Sequence, residues 1–466
     1  MSIPISTNEK VVSENVESNS YLSNFAFLTA VIIAVCYWHV DHNWDASRSA
    51  FSMSEAHTGA ENETADRMSQ VNPKSTACRI ILATWGCVCF LTSWNTRVRF
   101  SSPLIWSISA LAMFLLASVM WSANPPQTMY KLAVLLTMSI AAGGVACRFD
   151  LREILSIVVL VCGVFIFVGV FAEVSHGYSS FSNSYRFIGT THPNTEAIYA
   201  SMLCIIARIY LSRIGQSNFW GIGVFVLGLL AVWFTKSRTT LAGLLLSLLL
   251  VQVLVVRGTN RLLLILGGLF LAVLLVVASS VISQKSSGIL GRFATMGRQD
   301  DVSTLSGRLP LWEELLLSIN KSPVIGYGYL SYWDAKRVET LSDRFRWVIP
   351  HGHNAYLDTM LDGGAIGLVL LILVIVSAFS DSAKLFSKTN RIEYAVVFGL
   401  VAYAVLNGFA ESLFKLPGFP LFVILTCCFN MIARGAMESS EAAPSSVKSK
   451  RKPIRMSGLK SRQHVR

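Results

Sequence analysis

The stretch Phe219 to Val256, FWGIGVFVLGLLAVWFTKSRTTLAGLLLSLLLVQVLVV, decides the fold. Two long apolar runs are separated only by Thr235-Lys236-Ser237-Arg238-Thr239. Each run approaches the roughly 20 residues that a helix needs to cross a bilayer. A link this short makes the two helices antiparallel neighbours in a bundle. A transmembrane β-barrel would show alternating segments of about 10 residues instead, and these runs do not alternate.

The same pattern recurs along the 466 residues. Candidate spans fall near 22–40, 77–95, 103–122, 129–147, 153–173, 195–213, 218–235, 239–256, 261–283, 363–380, 393–411 and 417–435, about twelve in all. The expected fold is therefore an all-α polytopic membrane protein: a cytoplasmic N-terminal segment 1–21, an integral membrane domain 22–435 and a basic tail 436–466. Composition agrees. Apolar residues make up 53% and charged residues 14%, against roughly 25% charged in soluble proteins, and the mean hydropathy is +0.53. A cytosolic enzyme, a secreted disulfide scaffold and a disordered chain are excluded. The first apolar run follows Glu9, Glu14 and Glu17, so it is read as a span and not as a signal peptide.

The net charge of +12 does not point to nucleic acid. Residues 447–466 hold eight Lys/Arg and no acid, the mark of a cytoplasmic tail that can also touch anionic lipid. With both termini inside, the inner links carry Arg97, Arg99, Arg148, Arg152, Arg213, Arg257, Arg261, Lys384, Lys388 and Arg391, as the positive-inside rule requires. The opposite segment 41–75 is acidic, with Asp41, Asp45, Glu55, Glu61, Glu63 and Asp66. The largest polar loop, 284–362, is then extracytoplasmic. Within it, Trp312, Leu315, Leu316 and Ile319 share one face of a short helix after Pro310, expected to lie on the membrane surface or to belong to a folded loop that caps the bundle. Gly326-Tyr327-Gly328 reads as a turn, and Tyr327, Tyr329, Tyr332 and Trp333 suit the headgroup zone. The nine cysteines sit in or beside apolar runs and read as small buried hydrophobes.

The outer ends of the spans hold cations that oppose the topological bias. Arg186 precedes the sixth span in Arg186-Phe-Ile-Gly-Thr-Thr-His192-Pro-Asn194, Lys236 and Arg238 fill the tight turn, and Arg308 opens the surface helix. Each alone reads as an interfacial anchor or the partner of an acid. As a set on one face they suit a diphosphate, because the guanidinium fork matches phosphate oxygens bidentately and can stabilise a diphosphate as it leaves. No carboxylate cluster suggests a divalent metal, and no cofactor is expected. His351-Gly-His353-Asn354 lies where the loop enters the tenth span. Histidine is the natural general base near neutral pH. Two histidines would ligate a metal only with further His or acidic ligands. The glycines at 363, 364 and 367 suggest close helix packing.

These residues together resemble the O-antigen ligase and polymerase superfamily of bacterial envelope polysaccharide enzymes. The match lies in His353-Asn354, nine residues, then Gly364-x-x-Gly367; in Ser237-Arg238; in Gly189-Thr190 and His192-Pro193-Asn194 with Arg186 upstream; and in Gly307-Arg308 with Trp312. The resemblance covers most of the chain. It implies a polyprenyl-diphosphate-linked glycan donor, a glycan or lipid-glycan acceptor, and inverting, metal-independent glycosyl transfer at the extracytoplasmic face of the bacterial inner membrane. By that resemblance His353 is the base and Arg186, Arg238 and Arg308 hold the diphosphate. Lys236, His192, Asn194, His351 and Asn354 are possible supports. Leu368 stands where ligases often carry a small hydroxylated residue, which keeps a polymerase acceptor open beside a lipid-core one. A protein O-oligosaccharyltransferase is the enzyme alternative and a small-anion transporter the non-enzyme one. A transporter should break helices and place ionisable groups at the midplane, whereas the central thirds of these spans are almost free of charge.

Overall fold

The computed structural model describes residues 8–42, 72–93, 102–177, 185–211, 219–256, 258–262, 264, 267–268, 307–345, 347, 349–414 and 417–441. Among these residues every regular element is helical. In chain order they are α1 (Asn8–Asp41), α2 (Pro73–Leu91), α3 (Pro103–Ala117), α4 (Pro125–Arg148), α5 (Leu151–Ser175), α6 (Pro193–Leu211), α7 (Phe219–Phe234), α8 (Arg238–Val255), α9 (Arg308–Ile319), α10 (Ala335–Phe345), α11 (Ala355–Thr389), α12 (Ile392–Asn407) and α13 (Phe419–Glu441). Among the described residues seven helices are long and apolar enough to cross a membrane, and α7, α12 and residues 419–434 of α13 are shorter apolar helices. The ninth expected span, the acidic segment, most of 284–307 and the basic tail beyond 441 lie largely outside the described residues.

Local chemistry sets the helix starts. Asn72, Ser102 and Asn124 cap α2, α3 and α4 with side-chain oxygens, each directly before proline. That order suits both the capping preference and proline's missing N–H. Asp150 and Glu153 form a reciprocal capping box on α5. The outer faces remain apolar: Phe167, Val170 and Phe171 on α5 and Val369, Ile372, Leu373 and Val376 on α11 are exposed. A surface of this kind is stable against acyl chains and not against water. The thiols are free, as expected, but Cys87 belongs to this exposed surface rather than to the core.

The charged links group at opposite ends, as the span order requires. At one end Arg152 Nε meets Glu393 Oε1 at 2.5 Å and Arg391 Nη2 lies 3.8 Å from Asp150 Oδ2. Arg434 Nη2 donates to the carbonyls of Cys147 and Arg148 at the end of α4. At the other end sit Arg186, the 235–238 turn, Arg308 and His353.

Two expectations need correction at that second end. The tenth apolar helix begins at Ala355, eight residues before the expected 363, so His353 and Asn354 stand at its N-terminus. The short helix of the loop turns one face into protein, as part of a folded cap on the bundle. Leu311, Leu315 and Ile319 of α9 are buried with Tyr332, Trp333, Val338, Leu341, Ile349 and Leu361 in a second core. Leu316, expected on the inner face, is exposed. The aromatics find enough apolar area in each other and in α10 to make a folded cap on the bundle.

The cap is joined to α11 through a helix break. Gly364 has φ 59° and ψ −157°, a conformation open only to glycine. The break frees carbonyls before it and amides after it. Tyr327 N donates to Leu361 O at 2.7 Å and Gly328 N to Asp362 O at 2.9 Å. Ala365 N donates to Pro323 O at 2.8 Å and Ile366 N to Val324 O at 3.2 Å. Gly364 thus serves the break, while Gly363 lies against Phe114 of α3. The break falls in the first third of α11, beside the cap.

A Cβ on Gly364 would stand 2.2 Å from the Val324 carbonyl carbon, whereas one on Gly367 would meet only ordinary contacts of 3.5 Å or more. Gly364→Ala should therefore lower the apparent melting temperature and the yield in detergent, with a cost of at least about 1–3 kcal/mol from backbone strain alone. Gly367→Ala should behave as wild type. Equal melting temperatures for Gly364→Ala and wild type would show that the break is not required.

Candidate functional site

The segment that carries Arg186 and His192 is shaped from below by two buried acids. Glu173 on α5 accepts from the backbone N–H of Ile188 at 2.6 Å and of Gly189 at 2.9 Å, and from the Tyr185 hydroxyl. Glu196 on α6 accepts from Thr191 Oγ1 at 3.1 Å. Glycine suits position 189 twice over: φ is 61°, and a Cβ there would strike Glu196 Oε1 at 2.6 Å. The loop is thereby fixed, and its amides are satisfied where neighbouring helices exclude water.

On this frame the side chains converge. Arg186 Nε donates to Thr235 O at 2.8 Å and its Nη2 to Asn194 Oδ1 at 3.0 Å. Ser237 Oγ also reaches Asn194 Oδ1, at 3.2 Å. Asn194 Nδ2 donates to Glu411 Oε1 at 2.5 Å, and Arg308 Nη2 donates to the same oxygen at 2.9 Å. Glu411 Oε2 lies 3.5 Å from His353 Nδ1. His192, exposed at the rim, is within electrostatic reach of Glu411, Arg186, His353 and Arg308. Lys236 and Arg238 flank Ser237, both half-buried, with Lys236 at φ 53° and Arg238 opening α8. The expected cations and histidines therefore share one rim.

Glu411 is the residue that the sequence reading missed. It stood at the end of the eleventh run and looked like a span terminus. Its signal was there: an acid between apolar runs at the outer face, in Gly408-Phe-Ala-Glu411-Ser412. Burial alone would raise its carboxyl. The His353 hydrogen bond and charge, followed by the charges of Arg308 and His351, outweigh burial and hold it below the usual carboxylate range. Glu411 is ionised, and Arg308 is the partner of an acid.

His353 has φ 47°, unusual for a residue with a Cβ. Its ring packs between Trp347, at a centroid distance of 5.2 Å, and His351, at 4.1 Å. The ring is 12% exposed. His351 serves the loop: its Nδ1 accepts from His353 N at 3.2 Å and lies 3.1 Å from Ser412 Oγ. Asp358 holds the same loop by accepting from Gly352 N, Ser412 Oγ and Trp333 Nε1. Trp312 Nε1 donates to Gly352 O at 2.9 Å. Asn354 caps α11, accepting from the N–H groups of Tyr356 and Leu357. Its role in this structure is to start the helix on which His353 depends.

Comparison with known proteins places these features in a family context. Residues 223–372 match the family described as O-antigen ligase. The exopolysaccharide production protein ExoQ of Rhizobium meliloti is 27% identical over 327 residues, 66% of this chain and 72% of that protein. The ComP-specific O-oligosaccharyltransferase of Acinetobacter baylyi is 28% identical over 123 residues, 25% of this chain and 22% of that protein. An uncharacterised protein of Haemophilus influenzae is 22% identical over 226 residues, 45% of this chain and 54% of that one. The chain is a multi-pass membrane protein, and its residues 223–372 are similar to the O-antigen ligase family.

The Glu411–Arg308 pair should matter far more to stability than the exposed Arg344–Glu314 pair, although the latter is 2.7 Å long. Breaking a buried pair leaves an uncompensated charge and costs on the order of 3 kcal/mol, while an exposed pair contributes under about 1 kcal/mol. Glu411→Gln should lower the apparent melting temperature by several degrees and Glu314→Gln should leave it nearly unchanged. Similar small shifts for both would remove Glu411 from the centre of this network.

Proposed function

We propose that the protein transfers glycan from a polyprenyl-diphosphate-linked donor to a sugar hydroxyl, as an O-antigen ligase or exopolysaccharide polymerase, at the extracytoplasmic face of the inner membrane. The observation that carries this reading is the convergence of Arg186, Arg308, His192 and His353 on Glu411 at one end of the bundle. A diphosphate headgroup needs fixed cations, and an attacking hydroxyl needs a base. Both lie on this rim. The alignment with the exopolysaccharide production protein spans far more of the chain than that with the oligosaccharyltransferase, which favours a carbohydrate acceptor over a protein one.

In the proposed reaction the donor diphosphate lies across Arg308, Arg186 and Arg238. Arg308 uses one donor on Glu411 and keeps the rest of its fork for phosphate oxygens. The acceptor hydroxyl approaches His353, which takes its proton as the oxygen attacks the anomeric carbon from the face opposite the diphosphate. The new C–O bond forms as the bond to the diphosphate oxygen breaks. Polyprenyl diphosphate leaves with the electron pair, and the anomeric configuration is inverted. Glu411 stabilises the imidazolium that forms, and His351 and Asn354 hold the loop. The guanidinium groups supply positive charge that a divalent cation brings in other diphosphate-leaving reactions. Membrane lipid surrounds the spans, and no cofactor or nucleic acid takes part.

Transfer with purified lipid-linked donor tests the assignment. Arg308→Ala and Arg238→Ala should each lose roughly tenfold to a hundredfold, the equivalent of about 1.5–3 kcal/mol for a charge-assisted contact. Arg→Lys should lie between Ala and wild type, since it keeps the charge and loses the fork. His353→Ala should lose about 10²–10⁴-fold in single turnover at normal expression. Full transfer by His353→Ala would sink the base assignment, and full transfer by both Arg→Ala variants would sink the donor site.

Topology is tested separately. In a background lacking the exposed thiol of Cys87, a cysteine at Thr340 on the cap should react with an impermeant maleimide in spheroplasts, and one at Lys388 should react only after lysis. The reverse pattern would put the site on the cytoplasmic face.

A further inference from the structure

Three residues of the proposed transfer site also make a donor set of another kind. One ring nitrogen of His351, one of His353 and a carboxylate oxygen of Glu411 all lie within 4.8 Å of one another. His353 Nδ1 and Glu411 Oε2 are already 3.5 Å apart. Zinc bonds of about 2.0–2.2 Å in tetrahedral array put ligand atoms roughly 3.3–3.6 Å from each other. The His353–Glu411 edge therefore fits as it stands, and the remaining edges, within 4.8 Å, need closure of at most about 1.5 Å, by rotation of the imidazole and carboxylate side chains. The carboxylate is oriented for the task. Asn194 and Arg308 occupy Oε1, which leaves Oε2 turned to the histidines. His353 Nδ1 faces Glu411 Oε2 at 3.5 Å, and its Nε2 is buried without a hydrogen-bond partner among the described residues, so the neutral imidazole can place its one lone pair on the nitrogen that meets the ion.

We propose that His351, His353 and Glu411 form a binding site for a divalent transition-metal ion, with zinc as the fitting member, and that occupancy shuts off glycan transfer. Two imidazoles and one carboxylate match borderline ions. They do not match magnesium or calcium, which take oxygen donors. The fourth position faces the rim, where water or an acceptor hydroxyl would lie. The inhibitory part rests on the reading of His353 as the base: an ion bound to that nitrogen takes the electron pair that would accept the proton. Arg308 and Arg186 stand beside the ion and oppose its charge, so binding is reversible by chelators and weaker than at a structural zinc site.

The experiment uses the full chain without a polyhistidine tag, purified in detergent, stripped with a chelator and exchanged into metal-free buffer. Titration with Co²⁺ should give the visible d–d bands of a four-coordinate nitrogen–oxygen site, and Zn²⁺ should displace them. His351→Ala and Glu411→Gln should lose the bands, with monodispersity by size-exclusion chromatography showing that each remains folded. If Glu411→Gln does not survive purification, His351→Ala decides alone. Zn²⁺ at ten times its dissociation constant should leave about one tenth of the transfer rate, and Mg²⁺ should leave it unchanged. Absence of the bands in the intact chain, or a thiolate-to-cobalt charge-transfer band that puts the ion on a cysteine, would overturn the site. Full transfer at saturating Zn²⁺, or a stripped protein that needs Zn²⁺ to work, would overturn inhibition. A chain with cobalt bands and no transfer under any condition would instead reject the proposed function and leave the metal site standing.

Discussion

The hydrogen bonds across the break at Gly364 are the constraint on which the rest of the structure depends. Lipid offers no partner to a free carbonyl or amide, so a helix can open at membrane depth only where protein supplies one. Residues 323–328 do so, giving two amides to Leu361 and Asp362 and receiving two from Ala365 and Ile366. That segment follows directly from α9. Its insertion therefore fixes the C-terminal end of α9, and a helix of this length carries Arg308 about 17 Å back across the cap at a rise of about 1.5 Å per residue. Trp312, one turn into α9, then donates to the Gly352 carbonyl. The separation of the arginine from His353 is set by helix length and by these anchors, and not by a loose loop.

Glu411 does for charge what the inserted loop does for the backbone. Arginine beside a histidine in a partly dry pocket would repel it and would itself lack solvation. A carboxylate between them stabilises both, and the cost of burying it is offset by hydrogen bonds from Asn194 and Arg308 and by the nearby imidazole. Asn194 links this acid to Arg186 and Ser237, so the tight turn between α7 and α8 is held to the same point. Removing one member leaves the others unsatisfied, which is why such a network acts as a unit.

The parts of this arrangement that the sequence exposed are those written in hydropathy and charge. Apolar runs marked the helices, and the cations at Arg186, the 235–238 turn and Arg308 share one end; the short link at 235–238 did not make close neighbours, because α7 packs mainly on α6 and α8 on α12. Glu411 was not legible, because hydropathy treats an acid at the end of an apolar run as the run's boundary and says nothing of what faces it. The cap was left open between two readings for a related reason. Leu315, Trp312 and Ile319 form the same stripe whether the opposite surface is lipid or a second protein layer, and only the aromatic-rich partner segment, with Tyr332 and Trp333, decides it. The start of α11 at Ala355 was hidden by Asp358 and Asp362, which look like loop residues. Each is buried, and Asp358 is satisfied by Gly352, Ser412 and Trp333.

Four described residues with a Cβ take a positive φ, Lys236, Leu330, His353 and Asn390, and two of them lie at the site. Lys236 and His353 both sit in the left-handed region, which a side chain with a Cβ enters only when its surroundings over-determine it. At His353 the determinants are visible: Asn354 caps α11 from one side, Asp358 and Trp312 hold Gly352 from the other, and Trp347 and His351 sandwich the ring. Relaxing the backbone would swing the imidazole away from Glu411. The fold keeps the ring facing the arginines at the expense of local backbone comfort, and that expense is sustained by contacts drawn from α9, α11 and the segment after α12. A site assembled from segments so distant in sequence can hold its geometry only if each is pinned elsewhere first. The capped helices, the satisfied break and the buried acids under the 185–191 loop provide that pinning.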